Sequence, residues 1–224
     1  MMATKKTTLA AARELPARQT AHEFVRETLR LAILRGELSG GSRLVQADIA
    51  EELRVSITPV REALRDLATE GVIRLDPHRG AVVGELTLGE LDEIMRLRRI
   101  LEIDVMRLAA ELISPEQIAA ARTIHEAMLV APDPATWATL NREFHLSIYR
   151  AAEKKRQFEM VRSLIDSSML YVNRAQRQPA SRKRANEDHG ALLDLLAVRD
   201  IDGVQERLRE HIMIPLRTIR SEAL

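Results

Sequence analysis

Two kinds of hydrophobic pattern divide the chain. In residues 41–80, GSRLVQADIAEELRVSITPVREALRDLATEGVIRLDPHRG, the residues Ile49, Ala50 and Leu53 recur on one helical face with Asp48, Glu51 and Glu52 between them, which predicts a short amphipathic helix. After Arg54 and Val55 a second helix begins, with Ser56 placed to cap it and Pro59 in its first turn, where a missing N–H costs nothing. Val60, Leu64 and Leu67 form its apolar stripe; Thr58, Arg61 and Arg65 form another, rotated well away from the first. Beyond Gly71, residues 72–75 and 81–83 predict strands around Asp76-Pro77-His78-Arg79-Gly80, with Arg79 at the tip and Gly80 leaving the backbone free to approach a groove. Helix, turn, helix and polar hairpin, in that order, predict a winged helix-turn-helix.

After Gly84 the pattern changes to long helical periods broken by short polar turns. Residues 88–112, 115–130, 134–152, 155–175, 182–198 and 200–219 read as six helices. Thr87 and Glu90 form a capping box for the first, Ser114 caps the second before Pro115, and Pro215 should kink or shorten the last. The stretch NRAQRQPASRKRAN, residues 173–186, is polar and basic, and its middle is expected to be a mobile connection. With aromatics at 3% of residues and Leu, Ala, Ile and Met supplying the stripes, an antiparallel bundle of about six helices is expected. The fold class is therefore mostly α: a basic disordered tail over residues 1–20, a winged helix-turn-helix over 21–84 and an all-α domain over 85–224.

Composition narrows the function. The absence of cysteine excludes disulfides, thiolate metal sites and thiol nucleophiles. No signal-peptide core and no apolar run of membrane-spanning length occurs, so no membrane partner and a cytoplasmic location are expected. The formal net charge of +1 is small for a nucleic-acid binder, but a chain average says little about one face. Two guanidiniums and a hydroxyl near a helix N-terminus suit phosphate contacts and the base edges of a major groove, with Arg the usual reader of guanine. Double-stranded DNA is the first partner this predicts.

Within the second domain the histidines carry the chemistry. His145 lies one turn after Asn141 on the same face, beside Leu140, Phe144 and Ile148; His189 and His211 fall on two later helices near Leu192, Leu193, Leu208 and Ile212. Imidazoles from three helices can converge on Zn²⁺ or a similar cation, or each can be a core histidine satisfied by hydrogen bonds. Spacing alone leaves both open.

The stretch from Val25 to Val83, and VSITPVREALRDLATEGVI above all, resembles the DNA-binding domain of GntR-family bacterial transcription regulators. The resemblance implies DNA contacts from Arg43, Ser56, Thr58, Arg61, Arg65 and the wing at Gly80. Two positions depart from the family pattern: Ile57 stands where an arginine is usual, and Gly40 stands where a proline usually precedes the glycine matching Gly41. Ile57 cannot pair with guanine or phosphate, although an apolar side chain can touch a thymine methyl. Residues 88–220 resemble the FCD ligand-binding domain of the FadR subfamily through RRILEIDVMRLAA, NREFHLSIYRAA, EDHGALLDLL and REHI, and the helix count resembles the six-helix VanR-type variant.

This second resemblance implies a divalent metal, Zn or Ni, held by His145, His189 and His211 with Asn141 where the family commonly has aspartate, and Arg98 directed at the carboxylate of a small organic acid effector. Three imidazoles and a neutral amide would leave the cation its full charge, strengthening attraction for an anion and weakening metal retention. His125, His22 and His78 are assigned no metal role. The leading expectation is a homodimeric repressor that binds an inverted-repeat operator under control of a carboxylate effector. A metal-dependent hydrolase fused to a DNA-binding module is the alternative from another class, but no carboxylate is placed as a general base and Glu143 points away from His145. A purely structural dimerisation bundle is the third, and bound metal separates it from the first.

Overall fold

Thr20 opens the first helix: its hydroxyl accepts the N–H of Glu23 while the Glu23 carboxylate accepts the N–H of Thr20. A computed structural model describes residues 20–35, 37–84 and 87–222, in two units divided at residue 85. Apart from Thr20, the tail expected over residues 1–20 lies outside the described residues.

In the first unit α1 (Ala21–Arg35) buries Phe24, Val25, Leu29, Ala32 and Ile33 and packs against α3 (Ile57–Thr69), whose buried stripe is Val60, Ala63, Leu64 and Leu67. Between them in sequence comes α2 (Gln46–Leu53), which packs on α3 with Ile49, Ala50 and Leu53 buried as the periodicity predicts. It ends where Arg54 turns left-handed at φ 55° and directs its N–H, with that of Val55, back to the carbonyls of the last turn. Ser56 takes the N-cap position of α3 in extended backbone, but its exposed hydroxyl makes no capping bond, contrary to expectation. The first N–H groups of α3 are thus left for solvent or an external acceptor.

The hairpin lies one residue from where it is expected. β2 is Ile73–Asp76 and β3 is Gly80–Val83, antiparallel, with Asp76 opposite Gly80. Val72 belongs instead to the helix end, its N–H bonded to the Leu67 carbonyl, and Gly71 makes that turn at φ 73°. At the other end the Asp76 carboxylate accepts from the N–H groups of His78 and Arg79, both at 2.8 Å, which closes the loop over Pro77, His78 and Arg79. Gly80 follows at φ 75°; a side chain there would meet nothing, so backbone conformation rather than crowding favours glycine. A two-residue strand that the local pattern does not reveal, β1 (Arg43–Leu44), adds to the free edge of β3 and gives the order β1-β3-β2.

The second unit is a helical bundle around Trp137, Phe144, Tyr149 and a wide aliphatic core. Its helices are α4 (Leu88–Leu112), α5 (Pro115–Leu129), α6 (Pro134–Tyr149), α7 (Lys155–Ala175), α8 (Pro179–Ala197), α9 (Ile201–Ile212) and α10 (Ile214–Glu222), with a single 3₁₀ turn at Arg150–Ala152. The boxes at Thr87–Glu90 and Ser114–Gln117 are both formed. The bundle thus has seven α-helices among the described residues rather than six. The last expected helix is divided at Met213, and Pro215, lacking an N–H, falls in the first turn of the new helix.

The expected mobile connection near residues 173–186 is corrected as well. Only Gln176, Arg177 and Gln178 separate α7 from α8; Pro179 begins α8, Gln176, Ser181 and Ala185 are buried, and the Asn186 side chain accepts the indole N–H of Trp137 at 2.8 Å. Hydrogen bonding to a buried indole anchors a segment whose composition alone reads as solvated.

Candidate metal centre and nucleic-acid interface

Three helices bring the predicted imidazoles together. His145 comes from the C-terminal part of α6, His189 from α8 and His211 from the last turn of α9; each is buried, and one nitrogen from each lies within 4.8 Å of the other two. His189 Nε2 is 3.1 Å from His211 Nε2, which is 3.3 Å from His145 Nε2. Ligand nitrogens about 2.0–2.1 Å from a tetrahedral cation stand roughly 3.3 Å apart, so the spacing fits an ion of zinc's size.

The outer partners decide which nitrogen carries each proton. Asp188 Oδ2 faces His211 Nδ1 at 3.4 Å, an ion-pair distance that is long for a hydrogen bond, and a carboxylate there calls for Nδ1–H. On His145, Nδ1 stands 3.4 Å from the Tyr149 hydroxyl, which donates its proton to Glu102 Oε2 at 2.6 Å and so turns a lone pair toward the ring. Both rings therefore present Nε2 lone pairs to each other at 3.3 Å. A cation placed between them would be bound by both lone pairs. His189 lies between Trp137, stacked on it with centroids 5.9 Å apart, and Phe144 at 4.5 Å, which fix its plane.

Burial, with lesser contributions from His211 and Arg98, holds His145 well below the usual histidine range. Burial, then the neighbouring His211, His145 and His125, does the same for His189. Both rings are thus neutral with lone pairs available near neutral pH, as metal ligation requires. Burial pushes Asp188 up, but the facing His211 imidazole and the Arg207 guanidinium more than offset this and leave its carboxyl below the usual value.

Asn141 is buried one turn before His145 and lines, with Arg98, His145, His211, Trp137 and Gln176, a cavity of about 20 Å³. That space holds about one water, not an organic acid. The Arg98 guanidinium lies on the cavity wall but is already engaged: Nε donates to Glu102 Oε1 at 2.6 Å and Nη1 to Ser168 Oγ at 2.9 Å. An entering carboxylate must therefore compete with Glu102. Sequence reasoning missed Glu102, Tyr149 and Asp188, although Glu102 stands four residues after Arg98 and Tyr149 four after His145, the spacing of one helix face. His125, given no partner from the sequence, sits edge-on to His189 with centroids 6.0 Å apart, outside the three-nitrogen cluster.

In the first unit the predicted DNA-contacting residues form two groups. Ser56, Thr58, Arg61 and Arg65 share the exposed face of α3, opposite its buried stripe, and Ile57 stands among them 52% exposed. Neither Arg61 nor Arg65 enters a salt bridge among the described residues. Arg43, Arg79 and Gly80 are exposed on the sheet, where Arg79 Nη2 donates to the Gly41 carbonyl at 3.3 Å. Leu75, 57% exposed in β2, is an apolar neighbour of the wing that the hairpin reading passed over.

Two family models match separate parts of the chain. Residues 21–83 match the model for bacterial regulatory proteins of the gntR family and residues 93–213 match the FCD domain. The HTH-type transcriptional regulator McbR of Escherichia coli strain K12 is 32% identical over 181 residues, 78% of this chain and 81% of that protein. A probable D-xylose utilization operon transcriptional repressor of Paenarthrobacter nicotinovorans is 28% identical over 197 residues, 87% of each. The solved structure of E. coli McbR/YncC superposes with a TM-score of 0.79 at 27% identity, covering 92% of this chain and all of that one.

Proposed function

The chain belongs to the GntR family of bacterial regulatory proteins, with an FCD domain after its DNA-binding domain, and from that premise we propose that it is a homodimeric repressor released from an inverted-repeat operator by a small organic acid bound beside a metal. That it is a DNA-binding transcription regulator follows from the family; the effector, the metal and the dimer are the proposal. The observation that carries it is the convergence of three buried imidazole nitrogens, two of the pairs at ligand spacing, beside a cavity that Arg98 also lines. Zn²⁺ or Ni²⁺ held by His145, His189 and His211, with the Asn141 amide at hand as a further donor, would supply an electrostatic anchor for a carboxylate. Arg98 would hold the acid's other oxygen or its second carboxylate. Because the cavity has room for only about one water, the acid enters only if the surrounding helices rearrange, and that rearrangement is the motion available for signalling to the DNA-binding units of a dimer.

Thermal-shift screening of small organic acids, each with Zn²⁺ and with chelator, tests this reading. At least one acid is expected to raise the melting temperature only when metal is present. An acid that stabilises equally in chelator would contradict the metal-linked site.

On the DNA side, the exposed α3 face and the wing are assigned to major-groove and backbone contacts respectively, with Ile57 against a thymine methyl in place of a cation. Ile57→Arg is expected to tighten binding to unrelated duplexes and to steepen the dependence of log affinity on log salt by about 1, the contribution of one more phosphate contact. Fluorescence anisotropy across a salt series reads the slope directly, and an unchanged slope would remove position 57 from the interface.

A further inference from the structure

We propose that Glu102 is a positioning residue that joins the two halves of the effector site, neutralising Arg98 on one side and setting the tautomer of His145 through Tyr149 on the other. The inference rests on the metal and carboxylate reading above and adds how the two ligands feel each other. Glu102 is completely buried in α4, and both its oxygens are committed: Oε1 to Arg98 Nε at 2.6 Å, Oε2 to the Tyr149 hydroxyl at 2.6 Å and, more distantly, to Arg98 Nη2 at 3.5 Å. A buried charge in this position is tolerated only because it is paired and hydrogen-bonded.

Since a carboxylate only accepts, the Tyr149 proton must point to Glu102, and the hydroxyl oxygen can then only accept from His145 Nδ1–H. The buried relay thus keeps Nε2 of His145 deprotonated before any metal arrives. On the other side, an acid that draws Arg98 away leaves Glu102 with Tyr149 as its remaining donor. The carboxylate then accepts more strongly from Tyr149, the tyrosine oxygen accepts more strongly from His145 Nδ1–H, and Nε2 becomes a better donor to the metal, which is held more tightly. Acid and metal therefore bind with positive coupling through the protein as well as through direct contact, and the coupling is reciprocal.

Glu102→Gln keeps size and removes charge. The amide oxygen turns to Arg98 and the amide NH₂ to Tyr149, so the tyrosine proton is redirected to His145 Nδ1 and the ring takes the tautomer with Nε2 protonated. Arg98 meanwhile loses its counter-charge. The two affinities should therefore move in opposite directions. Relative to wild type, E102Q is expected to bind Zn²⁺ about tenfold more weakly, in the range typical of a lost outer partner, and to bind formate, titrated with Zn²⁺ saturating, about tenfold more tightly, a factor set by one uncompensated charge.

Nitrogen-15 NMR of the imidazoles in the metal-free protein should show His145 changing from Nδ1–H to Nε2–H, a signature that mere loosening of the core does not produce. Tyr149→Phe cuts the same relay at its middle and is expected to lower Zn²⁺ affinity by a similar factor. If wild-type protein takes up no Zn²⁺, the metal reading falls and this inference with it. If wild type takes up Zn²⁺ but E102Q keeps its His145 tautomer, or shifts both affinities the same way, the role of Glu102 is overturned while the metal reading stands.

Discussion

Replacing His189 with alanine is expected to strip the protein of most of its divalent metal. His189 Nε2 stands 3.1 Å from His211 Nε2, and without it two imidazoles and an amide remain, a set that binds zinc-like ions poorly. The loss in affinity should exceed the roughly 10–100-fold that follows removal of an outer partner alone. The cavity left beside Trp137 and Phe144 is expected to cost about 1–3 kcal/mol of stability, which a bundle with so wide an aliphatic core sustains without unfolding. Elemental analysis measures the metal, and far-ultraviolet circular dichroism checks the fold. The organic acid loses its cation and keeps only Arg98, which Glu102 already neutralises, so its affinity should fall sharply while operator binding without acid stays near wild type. Metal retention in this variant would leave His189 as a core residue packed between aromatic rings.

The second large effect concerns DNA. Arg61→Ala is expected to weaken operator binding by roughly 1–3 kcal/mol while changing nonspecific binding much less, as loss of a base-reading arginine should. Arg61 stands exposed on the face of α3 opposite the buried Val60, Leu64 and Leu67, so the substitution disturbs no packing. Competition between operator and random duplex, at one fixed salt concentration, separates base reading from backbone contact. Equal losses on both duplexes would make Arg61 a phosphate contact, and wild-type affinity on both would move the reading surface off α3.

The elements legible in the sequence were those whose signals are local. The alternation of buried and solvated positions in α2 and α3 lies within a few residues, as do the boxes at Thr87–Glu90 and Ser114–Gln117, and the structure reproduces them. What was hidden depends on partners far along the chain. β1 exists only because the edge of β3, some forty residues on, offers two residues to pair with. The turn after Ala175 reads as a polar linker until Trp137, on another helix, reaches Asn186. Arg98 and Glu102 have the spacing of a common surface ion pair; that both are buried follows from the helices around them, not from their own segment.

The three histidines were visible as candidates, but their convergence was not, because it is a property of how α6, α8 and α9 pack. The proton relay through Tyr149 was less accessible still. A tyrosine one turn after a histidine is unremarkable until a buried carboxylate from α4 fixes which way its hydroxyl proton points.

In the proposed mechanism an organic acid controls operator affinity through the metal. It is tested most directly by titrating an operator duplex, by fluorescence anisotropy, with metal-loaded and metal-stripped protein in the presence of the acid found by thermal shift. The acid is expected to weaken operator binding about tenfold, within the usual span of allosteric coupling, in the loaded protein and to have little effect in the stripped one. An equal response in both would contradict it.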